Sequence, residues 1–283
     1  VLAALVAAGL LAGNGVLIIF TKISGLPLDS GRDLIDLLHD EKNVNLIKIA
    51  MGINHILTFF VAPLLFIKIY CKNHIFSYLN LNHFDPRYLL YFPLALISLY
   101  PLMSAVTFYM NKLELPAFLS QMDSDALDAL GSLLKMQNLF DLMINLLLIG
   151  VIPAIGEEIL FRGIIQKELK VRWSNPHLAI WVTAVIFSAF HFQAVGFPAK
   201  LMIGLVLGYA YYYSGSLALS MILHGLNNSL ATISLYISGD HITQSDLQVA
   251  QEIPWISVMI STAIFGGLMY YIRMLSVNHI ANE

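Results

Sequence analysis

Apolar residues in this chain run in long stretches, not in the short alternation of a half-buried strand. Eight such stretches stand out: Val1 to Phe20, Asn45 to Tyr70, Leu89 to Met110, Leu139 to Ile165, Leu178 to Phe192, Ala199 to Tyr213, Ser216 to Ile237 and Trp255 to Arg273. A helix needs about 20 mostly apolar residues to cross a bilayer. The fifth and sixth stretches are short by that measure, and the others suffice. The pattern predicts an all-α, polytopic membrane bundle of about eight transmembrane helices. The connections are polar. Asp29 to Asn43 carries Asp33, Asp36, Asp40 and Glu41, and its Leu34, Leu37 and Leu38 suggest a short amphipathic helix on the membrane surface. Asn111 to Asn138 is similar, with Pro116 and a helix-like run from Asp123 to Leu134.

Composition agrees with the pattern. The chain is 58% hydrophobic and 12% charged, against roughly 25% charged in a soluble domain. A net charge of −3 and the lack of a long basic run give no footing for nucleic acid. Cys71 is the only cysteine, which excludes an intrachain disulfide and a Cys-rich zinc site. Val1 to Phe20 lacks a basic leader and a small-residue cleavage site, so a membrane helix is expected there in preference to a signal peptide. No repeat or linker divides the chain, and residues 1–283 are expected to form one multi-pass membrane domain.

Orientation follows from basic residues in short loops. Lys167, Lys170 and Arg172 follow the fourth span, and Lys68, Lys72 and Arg87 flank the second loop. On the opposite face, the loop with Asp240, Asp246 and Glu252 has no Lys or Arg. Lys22, Arg32, Lys42 and Lys48 in the first loop weigh the other way. The balance places both termini in the cytoplasm. Trp173, Trp181, Trp255 and Tyr211 to Tyr213 sit near span ends, where amphipathic rings prefer to lie. Gly204 and Gly208 form a G-x-x-x-G pair suited to close helix packing.

Ionisable groups inside spans are costly and need an explanation. Here they are Asp141, Glu157, Glu158, Arg162, His191, His224 and His55, with Asn228 a polar neighbour. Glu158 and Arg162, four apart, share a helix face and can pair, while Glu157 is rotated by about 100°. Phe187 and His191 are four apart on the fifth span, as are His224 and Asn228 on the seventh. Counting from the span ends at 1.5 Å per residue puts Glu157 and His224 each roughly 12 Å from the same face, with His191 slightly deeper. Asp141 comes out about 24 Å from Glu157 and is interfacial. His55, beside Asn54, can line a cavity or simply pack. Pro153 and Gly156 precede the glutamates, and a proline kink there can open a water-accessible pocket.

Three motifs now stand in order. Glu157-Glu158-Ile-Leu-Phe-Arg162 matches E-E-x-x-x-R, Phe187-Ser-Ala-Phe-His191 matches F-x-x-x-H, and His224-Gly-Leu-Asn-Asn228 matches H-x-x-x-N. In this order they resemble the CAAX protease and bacteriocin-processing family of intramembrane endopeptidases, over about Leu147 to Ile233. The resemblance implies about eight helices around a central polar cavity. It also implies a catalytic set of Glu157, His191, His224 and Asn228, supported by Glu158, Arg162 and Phe187. The implied substrate is a membrane-associated or lipidated protein or peptide, met among membrane lipids.

Peptide hydrolysis needs a base for water and donors for the oxyanion. Glu157 is the natural base. His191 can hold the attacking water, and His224 and Asn228 can donate to the oxyanion. A metal route would use Glu157, His191 and His224 as ligands to a divalent ion such as zinc. The metal-free route is preferred, because H-E-x-x-H is absent and ligation would occupy Glu157. Two other classes stay open: a proteolytically silent partner such as a bacteriocin-immunity protein, and a transporter using buried Glu and His as a proton relay.

Overall fold

The computed structural model describes residues 1–23, 41–70, 72, 74–238 and 253–281. The acidic first loop, Cys71 and the loop with Asp240, Asp246 and Glu252 fall wholly or largely outside these residues. Among the described residues the regular structure is helical throughout. In chain order the α-helices are α1 (Leu2–Ile23), α2 (Glu41–Ile56), α3 (Ala62–Ile69), α4 (Ile75–Leu79), α5 (Tyr88–Met110), α6 (Ala117–Leu133), α7 (Leu139–Asn145), α8 (Ile152–Glu158), α9 (Lys167–Trp173), α10 (Pro176–Ala189), α11 (Phe197–Ser214), α12 (Leu217–Ser238) and α13 (Trp255–Ala281). Three π-helical segments join some of them: Leu57–Val61, Leu146–Val151 and Ile159–Gln166.

Among the described residues, four stretches are long and apolar enough to cross a membrane: Ile47–Ile69, Tyr88–Met110, Leu139–Trp173 and Trp255–Val277. Leu2–Val16 and Pro176–Ala189 are shorter apolar helices. The protein is thus an all-α membrane bundle, with four long apolar spans among the described residues where the apolar pattern predicts about eight. Leu89, Leu90, Leu94 and Ile97 on α5, and Ile256, Met259, Ile260 and Ile264 on α13, are exposed. Lipid, not water, suits such faces.

Two of the π segments lie just before a proline, for a common reason. Proline has no N–H and crowds the preceding turn, so the regular α ladder cannot continue through it. The residue before each proline reaches five residues back: Ala62 N–H bonds to the Leu57 carbonyl and Ile152 N–H to that of Leu147. The helix is widened by a residue where Pro63 and Pro153 enter, without being broken. The stretch from Leu139 to Trp173 is 35 residues, roughly 52 Å of helix, more than a bilayer core of about 30 Å requires. Its basic end, with Lys170 and Arg172 in the last turn of α9, suits both a polar interface and the negative pole of a helix C-terminus. Ser174, at φ +52°, ends it. Asn175 then accepts from Leu178 N–H at 3.1 Å and starts α10, with Pro176 in its first turn.

Chain contacts divide the molecule into two compact units. The first draws its described residues from Val1–Leu79, Ser124–Ile164 and His224–Gln244. Here α1 packs along α2, and Asn54 Nδ2 donates to Asn14 Oδ1 at 3.0 Å. The second takes Asn80–Asp123, Ile165–Leu223 and Ser245–Glu283. Its core is the α5 stripe Tyr88, Phe92, Ala95, Leu96, Leu99 and Met103, packed with Leu207 and Ala210 of α11 and Ile272 of α13. The G-x-x-x-G pair lies against α10. A Cβ on Gly204 would come 3.1 Å from the Ala184 Cβ, and one on Gly208 would come 2.8 Å from Ile180 Cγ2. Two small residues one turn apart let these backbones approach.

Candidate active site

In the first unit, α8 carries both glutamates, and two neighbours set its place. On one side, Gly156 admits the aromatic rings that come after α2. A Cβ there would sit 2.5 Å from Phe60 Cε2 and 2.9 Å from Phe59 Cβ. On the other side, α12 approaches through small residues. A Cβ on Gly225 would be 3.7 Å from the Ala154 Cβ, and one on Gly150 would be 3.0 Å from Ser229 Oγ. That approach brings His224 and Asn228, one turn apart on α12, to the glutamates and to the backbone ahead of Pro153.

Glu158 and Arg162 are wholly buried, and Arg162 Nη1 donates to Glu158 Oε1 at 2.6 Å. The same oxygen lies 2.9 Å from His224 Nδ1. Arginine can only donate, so Oε1 accepts from it as a carboxylate oxygen. Nδ1 therefore carries the proton in its bond to Glu158. That fixes the tautomer of neutral His224, with Nε2 as the nitrogen on the Glu157 side. Nε2 lies 3.9 Å from Glu157 Oε2. This oxygen is buried and makes no hydrogen bond among the described residues. The two adjacent glutamates are therefore not equivalent: one is held between two cations or donors, and the other is left with a buried lone pair.

Asn228 is anchored. Its Nδ2 lies 3.4 Å from the Ile149 carbonyl, and its Oδ1 accepts from Asn227 Nδ2 at 3.2 Å. Ile149 stands four residues before Pro153, so its carbonyl is the one a residue with an N–H at position 153 would serve in an α-helix. One Asn228 N–H faces that carbonyl, and the amide has a second.

His191 and Phe187 belong to the second unit. The fifth apolar stretch, expected to carry His191 on its helix, ends earlier than expected: α10 stops at Ala189. His191 lies in the turn beyond, its N–H bonded to the Ser188 carbonyl at 3.2 Å, and Phe192 adopts φ +52°. Its ring closes the helix end, with Nδ1 2.9 Å from the Phe187 carbonyl and the two rings T-shaped at 5.0 Å. A carbonyl can only accept, so here too Nδ1 carries the proton. The loop is tied down at several points. Asp123 of α6, a buried carboxylate, accepts from Val195 N–H at 3.1 Å. Ser188 Oγ donates to the Phe197 carbonyl at 2.6 Å, and Lys200 donates to Gln193 Oε1.

Asp141 sits in the first turn of α7, where its Oδ2 accepts from Gln137 N–H at 2.9 Å. It serves as a helix-start acceptor. His55 stacks on Phe59 at 4.4 Å between centroids, and Phe59 lies 6.4 Å from Phe161. The His55 Nε2 is buried without a hydrogen bond among the described residues. Sequence spacing gave no sign of the Glu158–His224 contact or of Asp123 reaching the His191 loop, because both pairs are far apart along the chain.

Among the described residues, no group of three or more His, Cys, Asp or Glu side chains is arranged to hold a metal ion. Near Glu157, His224 Nδ1 is engaged by Glu158, so a metal would have only Nε2 of that ring.

Residues 139–230 match the family described as Rce1-like, the type II CAAX prenyl endopeptidase Rce1-like family. The matched stretch contains all three motifs, and residues 1–138 lie outside it. The match agrees with the CAAX protease and bacteriocin-processing family that the motifs resemble, and it supports a CAAX-type intramembrane endopeptidase, a hydrolase, as the class of activity. No curated protein and no solved structure matches the chain.

Proposed function

We propose that this chain hydrolyses a peptide bond in a membrane-associated or lipidated polypeptide, with Glu157 as general base. The observation that carries this is the division of labour between adjacent glutamates. Glu158 is engaged by Arg162 and His224, whereas the buried Oε2 of Glu157 keeps a free lone pair 3.9 Å from His224 Nε2. A water between them would be polarised from both sides.

In this reaction water attacks the scissile carbonyl carbon while Glu157 takes its proton. The carbonyl oxygen becomes an oxyanion, which accepts from the free N–H of Asn228 and from His224 Nε2–H. Because Nδ1 already carries a proton, donation from Nε2 requires the imidazolium form. The C–N bond then breaks, and the proton on Glu157 passes to the departing nitrogen, leaving a carboxylic acid and an amine. On the family resemblance alone, His191 of the F-x-x-x-H motif would hold the attacking water. Burial strengthens each of these electrostatic contacts relative to water.

The substrate can be identified with a trap. Glu157→Gln keeps the size of the side chain and removes the base. Affinity capture of this variant from membranes, with mass spectrometry of what it holds, should recover a polypeptide that the wild-type chain cleaves. Recovery of a partner that neither form cleaves would favour a silent binding role instead.

A further inference from the structure

A cavity of about 600 Å3 lies within the second unit, bounded by α5, α10, α11 and α13. None of the proposed catalytic residues lines it, so a ligand bound there is independent of the protease reading. Its lining changes character along its length. On α11 it runs from Met202, Leu205 and Val206 to Tyr209 and Tyr213. On α13 it runs from Phe265 and Met269 to Tyr270 and Arg273. At 1.5 Å per residue these are roughly 16 Å and 12 Å of wall, apolar at one end and polar at the other.

The polar ends coincide. His177, in the first turn of α10, lines the same mouth, and its Nδ1 is 3.1 Å from Tyr209 Oη. Tyr209 stacks on Tyr213 at 5.6 Å. Lys170 Nζ lies 5.5 Å from the centre of the neighbouring Tyr212 ring. No Asp or Glu is among the described residues that line the cavity. The mouth therefore presents a guanidinium, an imidazole and phenolic hydroxyls, with no carboxylate among the described lining residues, and the floor presents only hydrocarbon and aromatic surface.

The geometry points to a binding site for one anionic phospholipid, with an acyl chain along the Met202 to Val206 wall and the phosphate at Arg273. A slot roughly 12–16 Å deep suits the inner part of an acyl chain, and basic pockets between membrane helices favour anionic head groups. A zwitterionic lipid would bring its own cation against Arg273. A free phosphate would leave the apolar floor unused.

Native mass spectrometry of the full chain in detergent tests this, with phosphatidylglycerol and phosphatidylcholine of identical acyl chains. The wild-type chain should retain a single phosphatidylglycerol in preference to phosphatidylcholine. Arg273→Gln should reduce that preference about fivefold, the scale of one basic group near a lipid surface, and Arg273→Lys should largely keep it. Leu205→Trp, which fills the floor, should lose both lipids at an unchanged melting temperature. If the tryptophan unfolds the chain, Leu205→Phe takes its place. Equal retention of the two lipids by the wild-type chain would overturn the proposal. So would an undiminished preference in Arg273→Gln, or competition by millimolar inorganic phosphate alone.

Discussion

His224 and Glu158, 66 residues apart in sequence, meet through Nδ1 and Oε1 at 2.9 Å, on the oxygen that also receives Arg162 Nη1. One buried carboxylate thus has two duties. It neutralises the guanidinium, and it sets the tautomer of the imidazole that faces Glu157. The two glutamates should differ in what their loss does.

Removing Arg162 strands a buried charge on Glu158, and breaking a buried pair costs about 3–5 kcal/mol. Arg162→Ala should therefore lower the thermal unfolding temperature in detergent markedly. Glu158→Gln should do the same and also cut turnover, since His224 loses its orienting acceptor. Glu157→Gln should change the unfolding temperature little. Equal thermal losses for Glu157→Gln and Arg162→Ala would mean that the structural and chemical roles are assigned to the wrong glutamates.

Asn228 combines an anchoring contact to Ile149 with a spare N–H. Asn228→Ala should slow cleavage about a hundredfold, the loss typical of one oxyanion donor, and leave a measurable residual rate. The long contact to Ile149 predicts only a small stability change, about 1 kcal/mol. Kinetics and thermal unfolding on the same preparation separate the two effects. A large stability loss with unaltered turnover per folded molecule would make the residue purely architectural.

The parts of this site that were legible in the sequence are the local ones. Glu158 and Arg162 meet because a helix brings residues four apart onto one face, and long apolar runs mark α5 and α13 without further information. The end of α10 was not legible, since Ala189-Phe190-His191-Phe192 is as apolar as what precedes it. The stop comes from backbone turning and from the His191 ring closing on the Phe187 carbonyl. Nor do the π segments announce themselves, although Pro63 and Pro153 supply their cause. The Glu158–His224 bond depends on α12 docking on α8 through Gly225 and Ala154, a tertiary event with no local signature.

Asp123 ties down the loop that carries His191 through Val195 N–H. If His191 acts in the reaction, Asp123→Ala should lower turnover severalfold and speed amide exchange at Val195. Asp123→Asn, which retains an acceptor oxygen, should recover most of both. Faster exchange with normal turnover would separate this loop from the chemistry.

The basic residues after the fourth span predict a cytoplasmic α9, with the connection after α5 on the opposite side. In a Cys71→Ser background, single cysteines at Lys170 and Glu114, both exposed, should react with a membrane-impermeant maleimide from opposite sides of sealed vesicles. Reaction of both from one side would contradict this topology.

The proposed activation of water by Glu157 needs no metal. It is tested most directly by cleavage in proteoliposomes, using the polypeptide recovered by the trap as substrate. The wild-type chain should cleave it at an unchanged rate after treatment with a tight chelator. Glu157→Gln should show no detectable turnover while binding the same substrate and unfolding at nearly the wild-type temperature. Near-normal cleavage by Glu157→Gln would contradict the base assignment. Loss of wild-type activity to the chelator, restored by added zinc, would contradict the metal-free chemistry.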